Sequence, residues 1–194
     1  MTGLDLVLFH WLHGVLSYNR LAVEMAYFMA DYAPIMVISV LATYFFVETR
    51  NKDQVRLTLL VALLAAGLSL ISAVLIADAF YRPHPNDILE STRLLISHDR
   101  YSSFPNVTTA WCAAVAVTML RTPNRLMRGF FVGTGILIGV TRPILGDHWP
   151  TDILASFVLG GLSSHLAFKV AEFAAPIMEW FLGVVSRAER RWLD

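Results

Sequence analysis

Residues 57–81, LTLLVALLAAGLSLISAVLIADAFY, form an apolar stretch in which Asp78 is the single charged residue. The hydrocarbon core of a bilayer is crossed by a helix of about 20 predominantly apolar residues. A run of this length and composition therefore predicts a membrane-spanning helix. The fold then depends on how many similar stretches the chain contains and on how they alternate across the membrane.

The composition of the whole chain is typical of a membrane protein. Of its 194 residues, 56% are hydrophobic and 15% are charged, and the mean hydropathy is +0.58. A soluble domain, by contrast, carries about 25% charged residues. The formal net charge is zero, so no excess of basic residues points to a nucleic-acid partner. Cys112 is the only cysteine, which excludes an internal disulfide.

Five apolar stretches predict five membrane spans. They are residues 21–47, 57–81, 104–120, 129–141 and 151–174. The third and fourth are shorter than a full span, so they could cross only if their ends are buried against neighbouring helices. The fourth also carries two pairs of glycines, Gly129 with Gly133 and Gly135 with Gly139. Small residues at this spacing let helices approach closely, and we expect both pairs to lie at helix contacts.

The N-terminal segment predicts a different kind of helix. Residues 4–16 are too short and too polar to span, so we expect residues 1–20 to form an interfacial helix with His10, Trp11 and His13 near the headgroups. The fold class is therefore all-α: a polytopic transmembrane helix bundle of about five spans plus this interfacial helix. We expect it to form a single domain.

The distribution of Lys and Arg predicts the orientation of the bundle. If five spans alternate, nine basic residues share one side of the membrane: Arg50, Lys52, Arg56, Arg121, Arg125, Arg128, Arg187, Arg190 and Arg191. That side should be cytoplasmic, and it includes the C-terminal tail, residues 187–194. The loops of residues 82–103 and 142–150 then face outward, away from the cytoplasm. These two loops concentrate Arg and His in a chain that is otherwise poor in charge.

The segment TRPILGDHWPTD, residues 141–152, brings polar side chains to the start of the last predicted span. His148 and Asp152 are four residues apart. A helix that begins near Pro150 would let the carboxylate reach one imidazole nitrogen and leave the other as a nucleophile. Arg142, at the end of the preceding span, could grip phosphate oxygens. The spacing is equally compatible with an interfacial loop in which Asp152 caps the helix and His148 contacts headgroups.

This segment resembles the third motif, SRxxxxxHxxxD, of the type 2 phosphatidic acid phosphatase superfamily. Arg142, His148 and Asp152 fall on the Arg, His and Asp of that motif, and Thr141 replaces its Ser. The continuation GDHWPTDILAS is also similar to the G-x-H-Y-P-S-D-V-L-A-G that follows in the family.

The other two family motifs are matched in part. The first, KxxxxxxRP, is matched by the Arg and Pro at 82–83, with Leu75 at the position of its Lys. The second, PSGH within S-F-P-S-x-H-A, is matched by SSFPNVTTA, residues 102–110, where Asn106 replaces the Ser and Thr108 replaces the His. The short chain, the missing Lys and a His before the Ser-Phe-Pro element most resemble the bacitracin-resistance type of undecaprenyl diphosphate phosphatases.

The resemblance implies a phosphohistidine mechanism that needs no metal and no other cofactor. His148 would attack phosphorus and Asp152 would orient its imidazole. Arg82 and Arg142 would neutralise the phosphoryl oxygens. The expected partners are a lipid phosphate or diphosphate substrate and the membrane lipids, with no nucleic acid.

The group that would protonate the leaving oxygen does not carry over from the family. The family uses the second-motif His, whereas the hydroxyl of Thr108 cannot deliver a proton near neutral pH. Asn106 is a further polar residue of the same motif, and His98, Asp99 or His84 in the preceding loop could supply the proton instead. A lipid diphosphate releases a phosphate monoester, which is already a good leaving group, so a weak acid could suffice.

Three functional hypotheses follow. The first is an integral membrane phosphatase that removes a phosphate from undecaprenyl diphosphate or a related lipid (di)phosphate at the outward face. The second is a non-catalytic protein that binds or transports lipid phosphates with a degenerate site. The third is a scaffold that keeps only a relic of the site.

Overall fold

The computed structural model describes residues 3–16, 18–89 and 102–193, and all regular secondary structure in these ranges is helical. Of the candidate site residues, His98 and Asp99 lie outside the described ranges. The helices, in chain order, are α1 (Gly3–Leu16), α2 (Arg20–Val47), α3 (Lys52–Ala79), α4 (Pro85–Ile88), α5 (Val107–Met119), α6 (Arg125–Ile144), α7 (Pro150–Phe173) and α8 (Ala175–Leu193). The predicted all-α class is confirmed.

The five predicted spans correspond to α2, α3, α5, α6 and α7. Three of them, α2, α3 and α7, are long and apolar enough to cross a bilayer by themselves. Helix α6 is longer than its apolar stretch, with 20 residues, because Arg125 and Arg128 at its start and Arg142 near its end also adopt helical conformation. At 1.5 Å per residue it extends about 30 Å, the thickness of the hydrocarbon core.

Helix α5 has only 13 residues, and its place in the bundle explains how so short an apolar helix is accommodated. It packs against α3, α6 and α7, and most of its side chains are buried, including Ala110, Ala113, Ala114 and Ala116. A helix surrounded by protein does not need to match the bilayer thickness, because its ends need not meet lipid. The small side chains let three neighbours approach it.

The contact between α5 and α7 depends on Gly160. A Cβ atom at this position would lie 2.6 Å from the carbonyl oxygen of Ala110 and 2.7 Å from the Cβ of Ala113, both shorter than van der Waals contact. On the next residue, Gly161, a Cβ would meet nothing within 4 Å. The close approach therefore needs glycine at one position of the pair only.

The glycine pairs of α6 differ in the same way. A Cβ on Gly139 would lie 2.7 Å from the Phe157 ring of α7, and one on Gly135 would lie 3.2 Å from a side chain of α5. This pair lies at helix contacts, as predicted. A Cβ added to Gly129 or Gly133 would have no neighbour within 4 Å. The prediction that this pair lies at a helix contact is therefore wrong.

Helix α1 packs on α6 and α7 with two of its polar side chains turned inward. Trp11 is exposed, as expected of an interfacial helix, but Asp5 and His13 are buried. Nδ1 of His13 donates to the carbonyl oxygen of Ile144 at 3.0 Å, and burial lowers the pKa of this imidazole. The prediction that His13 lies near the headgroups is therefore wrong. Phe9 stacks on His13 with ring centroids 5.2 Å apart and fixes it there.

The end of the chain is also more ordered than predicted. Helix α8 begins directly after α7 and continues into the predicted tail, and it contacts α3 and α7. Its sequence, APIMEWFLGVVSRAERRWL, separates apolar and charged residues along a helical period. The sequence analysis missed this helix because the stretch is too polar to read as a span.

Candidate active site

The candidate site forms at one end of the bundle, where the C-terminal ends of α3 and α6 meet the N-terminal ends of α5 and α7. Two backbone contacts join the segments that follow α3 and precede α5. The amide of Ser103 donates to the carbonyl oxygen of Arg82 at 2.8 Å, and the amide of Arg82 donates to Oγ of Ser102 at 2.9 Å. Segments 20 residues apart are thus fixed side by side.

A left-handed turn carries the chain from α6 into α7. Gly146 has a φ of 81°, a conformation that glycine adopts without the steric cost of a Cβ. The amide of Asp147 donates to the carbonyl oxygen of Arg142 at 3.1 Å and closes the turn. The next two side chains, those of Asp147 and His148, are therefore directed into the protein and are buried.

The imidazole of His148 is held in one tautomer. Its Nδ1 lies 2.7 Å from the carbonyl oxygen of Ser103. A carbonyl can only accept a hydrogen bond, so Nδ1 carries the proton and Nε2 keeps a lone pair. The amide Nδ2 of Asn106 donates to Nε2 at 2.7 Å. An imidazole with a fixed Nδ1–H and an available Nε2 lone pair is a nitrogen nucleophile.

Asn106 is oriented by the start of α5. It is the N-cap residue, and its Oδ1 accepts from the amide of Thr109 at 2.6 Å, so its NH₂ group is turned towards His148. An amide NH₂ does not release a proton near neutral pH, which argues against Asn106 as the replacement acid. Thr108 is half-buried and is the second residue of the same helix, and its side chain makes no hydrogen bond among the described residues.

Asp152 does not contact His148 directly, contrary to the arrangement expected from their spacing. Ser103 lies between them: its hydroxyl donates to Oδ2 of Asp152 at 2.5 Å, and its Oγ is 3.4 Å from Nδ1 of His148. Oδ2 also accepts from the amide of Trp149 at 3.2 Å. The wholly buried carboxylate therefore acts as a helix cap and supports the imidazole through Ser103.

Arg82 forms ion pairs with two carboxylates. Its Nη1 pairs with Oδ1 of Asp152, and its Nη2 pairs with Oδ2 of Asp5 at 2.7 Å. Oδ1 of Asp5 in turn accepts from the hydroxyl of Thr151 at 2.6 Å. The guanidinium thus joins α1 to α7. The sequence analysis missed Asp5, although a carboxylate in an otherwise apolar N-terminal helix is a sign that a cationic partner lies elsewhere in the fold.

Arg142 keeps donors for a ligand. Its Nη1 lies 3.6 Å from Oδ2 of Asp147, a loose ion pair, and its Nε is buried with no hydrogen-bond partner among the described residues. An unpartnered guanidinium N–H in a buried position is costly unless an anion completes it. Of the two predicted phosphate-binding arginines, Arg142 is the one with a buried N–H that has no partner among the described residues.

His84 and Asp147 complete the surroundings of the nucleophile. Nδ1 of His84 donates to the carbonyl oxygen of Asp147 at 2.6 Å, and the rings of His84 and His148 are centred 5.0 Å apart. Burial by itself would raise the pKa of the Asp147 carboxyl. When His148 is an imidazolium, its Nε2–H can donate to Oδ2 of Asp147 at 3.2 Å. This hydrogen bond, the charge of His148 and the charges of Arg142 and His84 outweigh burial and lower this pKa to about 2.

Comparison with known proteins identifies the family. The sequence model of the PAP2 superfamily matches residues 57–175, a range that contains most of α3, all of α5, α6 and α7, and the whole candidate site except Asp5. This chain belongs to the PAP2 superfamily. The resemblance drawn from the three motifs is thereby confirmed.

Two curated relatives of this PAP2 protein are named for one activity. This chain is 27% identical over 173 residues to undecaprenyl-diphosphatase BcrC of Bacillus subtilis, and the match covers 89% of this chain and 86% of the relative. It is 26% identical over 164 residues to an undecaprenyl-diphosphatase of Sulfolobus acidocaldarius, covering 84% and 75%. The family and these relatives identify the chain as a membrane phosphatase, not the non-catalytic protein that the sequence left open.

Solved structures of PAP2 proteins share the fold. LpxE of Aquifex aeolicus superposes with a TM-score of 0.74 at 20% identity, over 87% of this chain and 96% of that structure. A transmembrane PAP2 type phosphatidylglycerolphosphate phosphatase from Bacillus subtilis gives a TM-score of 0.63 at 20% identity, over 88% of each chain. At this identity the likeness establishes the helical architecture of the PAP2 protein.

Three side chains of this PAP2 site have the spacing of a metal-binding set. One potential ligand atom from each of His84, Asp147 and His148 lies within 4.8 Å of the others. A divalent cation would have to displace the amide donor of Asn106 from Nε2 of His148. It would also lie close to the guanidinium of Arg142, which repels a cation and attracts an anion. The surroundings therefore suit a phosphate group better than a metal ion.

Proposed function

We propose that this PAP2 protein removes the terminal phosphate of undecaprenyl diphosphate, or of a related lipid (di)phosphate, through a phosphohistidine on His148. We also propose that it does so at the outward face of a bacterial inner membrane, with the C-terminus in the cytoplasm. The names of its curated relatives support this substrate class. The distribution of Lys and Arg supports the orientation.

One observation supports the mechanism above all others. Nδ1–H of His148 is held by the carbonyl oxygen of Ser103, so Nε2 bears the lone pair. In-line attack by Nε2 on the terminal phosphorus forms an N–P bond as the bridging P–O bond breaks. The lipid monophosphate then leaves. Water attacks the phosphohistidine, and inorganic phosphate and the neutral imidazole are regenerated.

Positive charge and hydrogen-bond donors stabilise the transferring phosphoryl group in this proposal. The unpartnered Nε of Arg142 and the amide of Asn106 are the donors nearest the nucleophile that can turn to phosphoryl oxygens. Arg82 holds Asp152 and Asp5, so we assign it first to positioning the site, with its remaining donor capacity available to the headgroup. Catalysis of phosphoryl transfer depends mainly on such positioning and charge stabilisation.

The test is turnover by purified protein in detergent. Wild type should release inorganic phosphate from undecaprenyl diphosphate and accumulate a phosphoenzyme that is stable to base and labile to acid. The His148→Ala variant should lose about 10³-fold or more of the turnover and all of the phosphoenzyme.

His165→Ala is the matched control. His165 lies in the same helix, α7, and is exposed, so this variant should retain wild-type turnover. Undiminished phosphate release by His148→Ala would contradict the proposed nucleophile. If wild type released phosphate from other lipid phosphates but not from lipid diphosphates, undecaprenyl diphosphate would be excluded as the substrate.

A further inference from the structure

The proposed reaction needs a proton donor that the family motif does not provide in this chain. Expulsion of the lipid leaves negative charge on the former bridging oxygen, and a positioned general acid typically contributes about 10²–10⁴-fold to such a step. Thr108 stands where the family has its acid. Another group near the nucleophile must therefore give and take the proton.

The other groups of the site are unsuited to this task. The pKa of Asp147 is lowered to about 2, so its carboxyl holds no proton near neutral pH. Arg142 is a guanidinium that does not release its proton in proteins. The hydroxyl of Ser103 donates to Asp152. An imidazole, by contrast, is the side chain that exchanges protons near neutral pH.

His84 has the geometry for proton transfer. It is buried, with 4% of its surface exposed, and its ring is centred 5.0 Å from that of His148. In a reactive geometry phosphorus lies about 3–3.5 Å from the attacking atom, and the leaving oxygen is one bond farther. The second imidazole therefore borders the space that a phosphoryl group on His148 would occupy, and the carbonyl oxygen of Asp147, which accepts from its Nδ1, holds it in place.

The balance of charge in the site also bears on how a diphosphate can be bound. Two guanidinium groups, those of Arg82 and Arg142, face three carboxylates, those of Asp5, Asp147 and Asp152. With neutral imidazoles the cluster is net negative before a diphosphate arrives. Bringing an anion into a buried, net negative site is unfavourable unless a further positive charge is present. An imidazolium would supply that charge and the proton together.

We propose that His84 is the general acid and base of this phosphatase, in place of the histidine that Thr108 replaces. The proposal rests on the phosphohistidine mechanism proposed above. As Nε2 of His148 attacks phosphorus, the bridging oxygen leaves with the proton of the His84 imidazolium. The neutral His84 then takes a proton from the water that attacks the phosphohistidine. One water is consumed, and the products are lipid monophosphate and inorganic phosphate.

The experiment compares leaving groups, because a general acid matters in proportion to the basicity of the oxygen that it protonates. The variant is His84→Asn, whose amide can still donate to the carbonyl oxygen of Asp147. The rate of phosphoenzyme formation in a single turnover, a step that precedes the attack of water, is measured on a polyprenyl diphosphate, on a polyprenyl monophosphate and on a nitrophenyl phosphate, whose leaving group needs no proton. We expect the loss in this rate to be about 10²-fold on the diphosphate, larger on the monophosphate, and less than tenfold on the nitrophenyl ester.

The pattern across substrates separates the two proposals. Equal losses on all three substrates would show a structural role for His84, and no loss on any would show that it does not transfer the proton; either result overturns this inference. Failure of wild type to form a phosphoenzyme would instead count against the mechanism itself. His84→Gln, which places its amide at the position of Nε2, is a second variant with the same expected pattern if His84→Asn does not fold.

Discussion

At the scale of single residues, the two arginines of the site differ in how their donors are used. The sequence motifs predict that both bind phosphate. Arg82 pairs with two carboxylates, whereas Arg142 has a buried Nε without a hydrogen-bond partner among the described residues. A guanidinium presents Nε–H and Nη–H in one plane, and an ammonium cannot reproduce this. We expect Arg142 to make the stronger direct contribution to phosphate binding.

This difference predicts how substitutions of Arg142 affect kinetics. Arg142→Ala should lower kcat/KM for a lipid diphosphate by about 10²–10³-fold, because it removes a donor and a charge from the transferring phosphoryl group. Arg142→Lys should recover only part of the loss. Steady-state kinetics on the purified variants test this, with Arg121→Ala at the opposite end of the bundle as the control. A complete rescue by lysine would mean that charge alone, without planar hydrogen bonding, binds the phosphate.

The lowered pKa of Asp147 predicts how the stability of the fold depends on pH. The pKa of Asp147 in the folded state is lowered to about 2 from the ordinary value of 3.8, so the folded state binds the proton more weakly than the unfolded state. Its contribution is therefore fully present above about pH 4 and is lost as the pH falls towards 2. The Tm of wild type in detergent should fall over this window, and the fall should be smaller in Asp147→Asn. Parallel curves for the two proteins would show that Asp147 is not the group responsible.

At the scale of helices, the contact between α5 and α7 positions the site. Helix α5 carries Asn106 at its start, and α7 carries Asp152 in its first turn. Because Gly160 touches the backbone of α5, the distance between the two helices is set by the absence of a side chain there. The geometry of the nucleophile thus depends on a residue well inside the bundle.

A pair of adjacent glycines provides a controlled test of this contact. Gly160→Ala should destabilise the fold by about 1–3 kcal/mol through overpacking and should lower activity as the helices separate. Gly161→Ala should be neutral or slightly stabilising, because its Cβ meets open space and alanine favours helix. Thermal unfolding of both variants in the same detergent measures the difference. Equal Tm values would contradict the proposed role of Gly160.

At the scale of the whole molecule, the candidate site occupies one end of the bundle and most of the basic residues occupy the other. The loop between α2 and α3 carries Arg50, and the loop between α5 and α6 carries Arg121. Tyr44 near the end of α2 bonds to Thr122 at 3.0 Å, so these two loops lie at the same end. The positive-inside rule predicts that this end faces the cytoplasm and that the site faces outward.

Chemical labelling tests this orientation directly. Cys112 is buried, so we expect a maleimide to react only with a cysteine that is introduced by mutation. In spheroplasts, a membrane-impermeant maleimide should label Asp87→Cys, an exposed position beside the site, and should not label Arg50→Cys. Both variants should react after detergent permeabilisation. Labelling of Arg50→Cys alone before permeabilisation would reverse the proposed orientation.

The amino-acid sequence by itself determined the helical membrane class, the five spans and the identity of His148, Asp152 and Arg142 as neighbours. These features are local: apolar length and a spacing of a few residues are set by the chain alone. The family resemblance then connected the distant Arg82 and the Ser-Phe-Pro segment to them.

Only the tertiary structure decided which groups touch. The proton on Nδ1 of His148 depends on the carbonyl oxygen of Ser103, a backbone group that no side-chain motif records. The partnership of Arg82 with Asp5 joins residues 77 positions apart, and the approach of His84 to His148 depends on the end of α3 lying beside the start of α7. Such contacts are made by packing, which brings together chain segments whose separation in sequence carries no information about their distance in space.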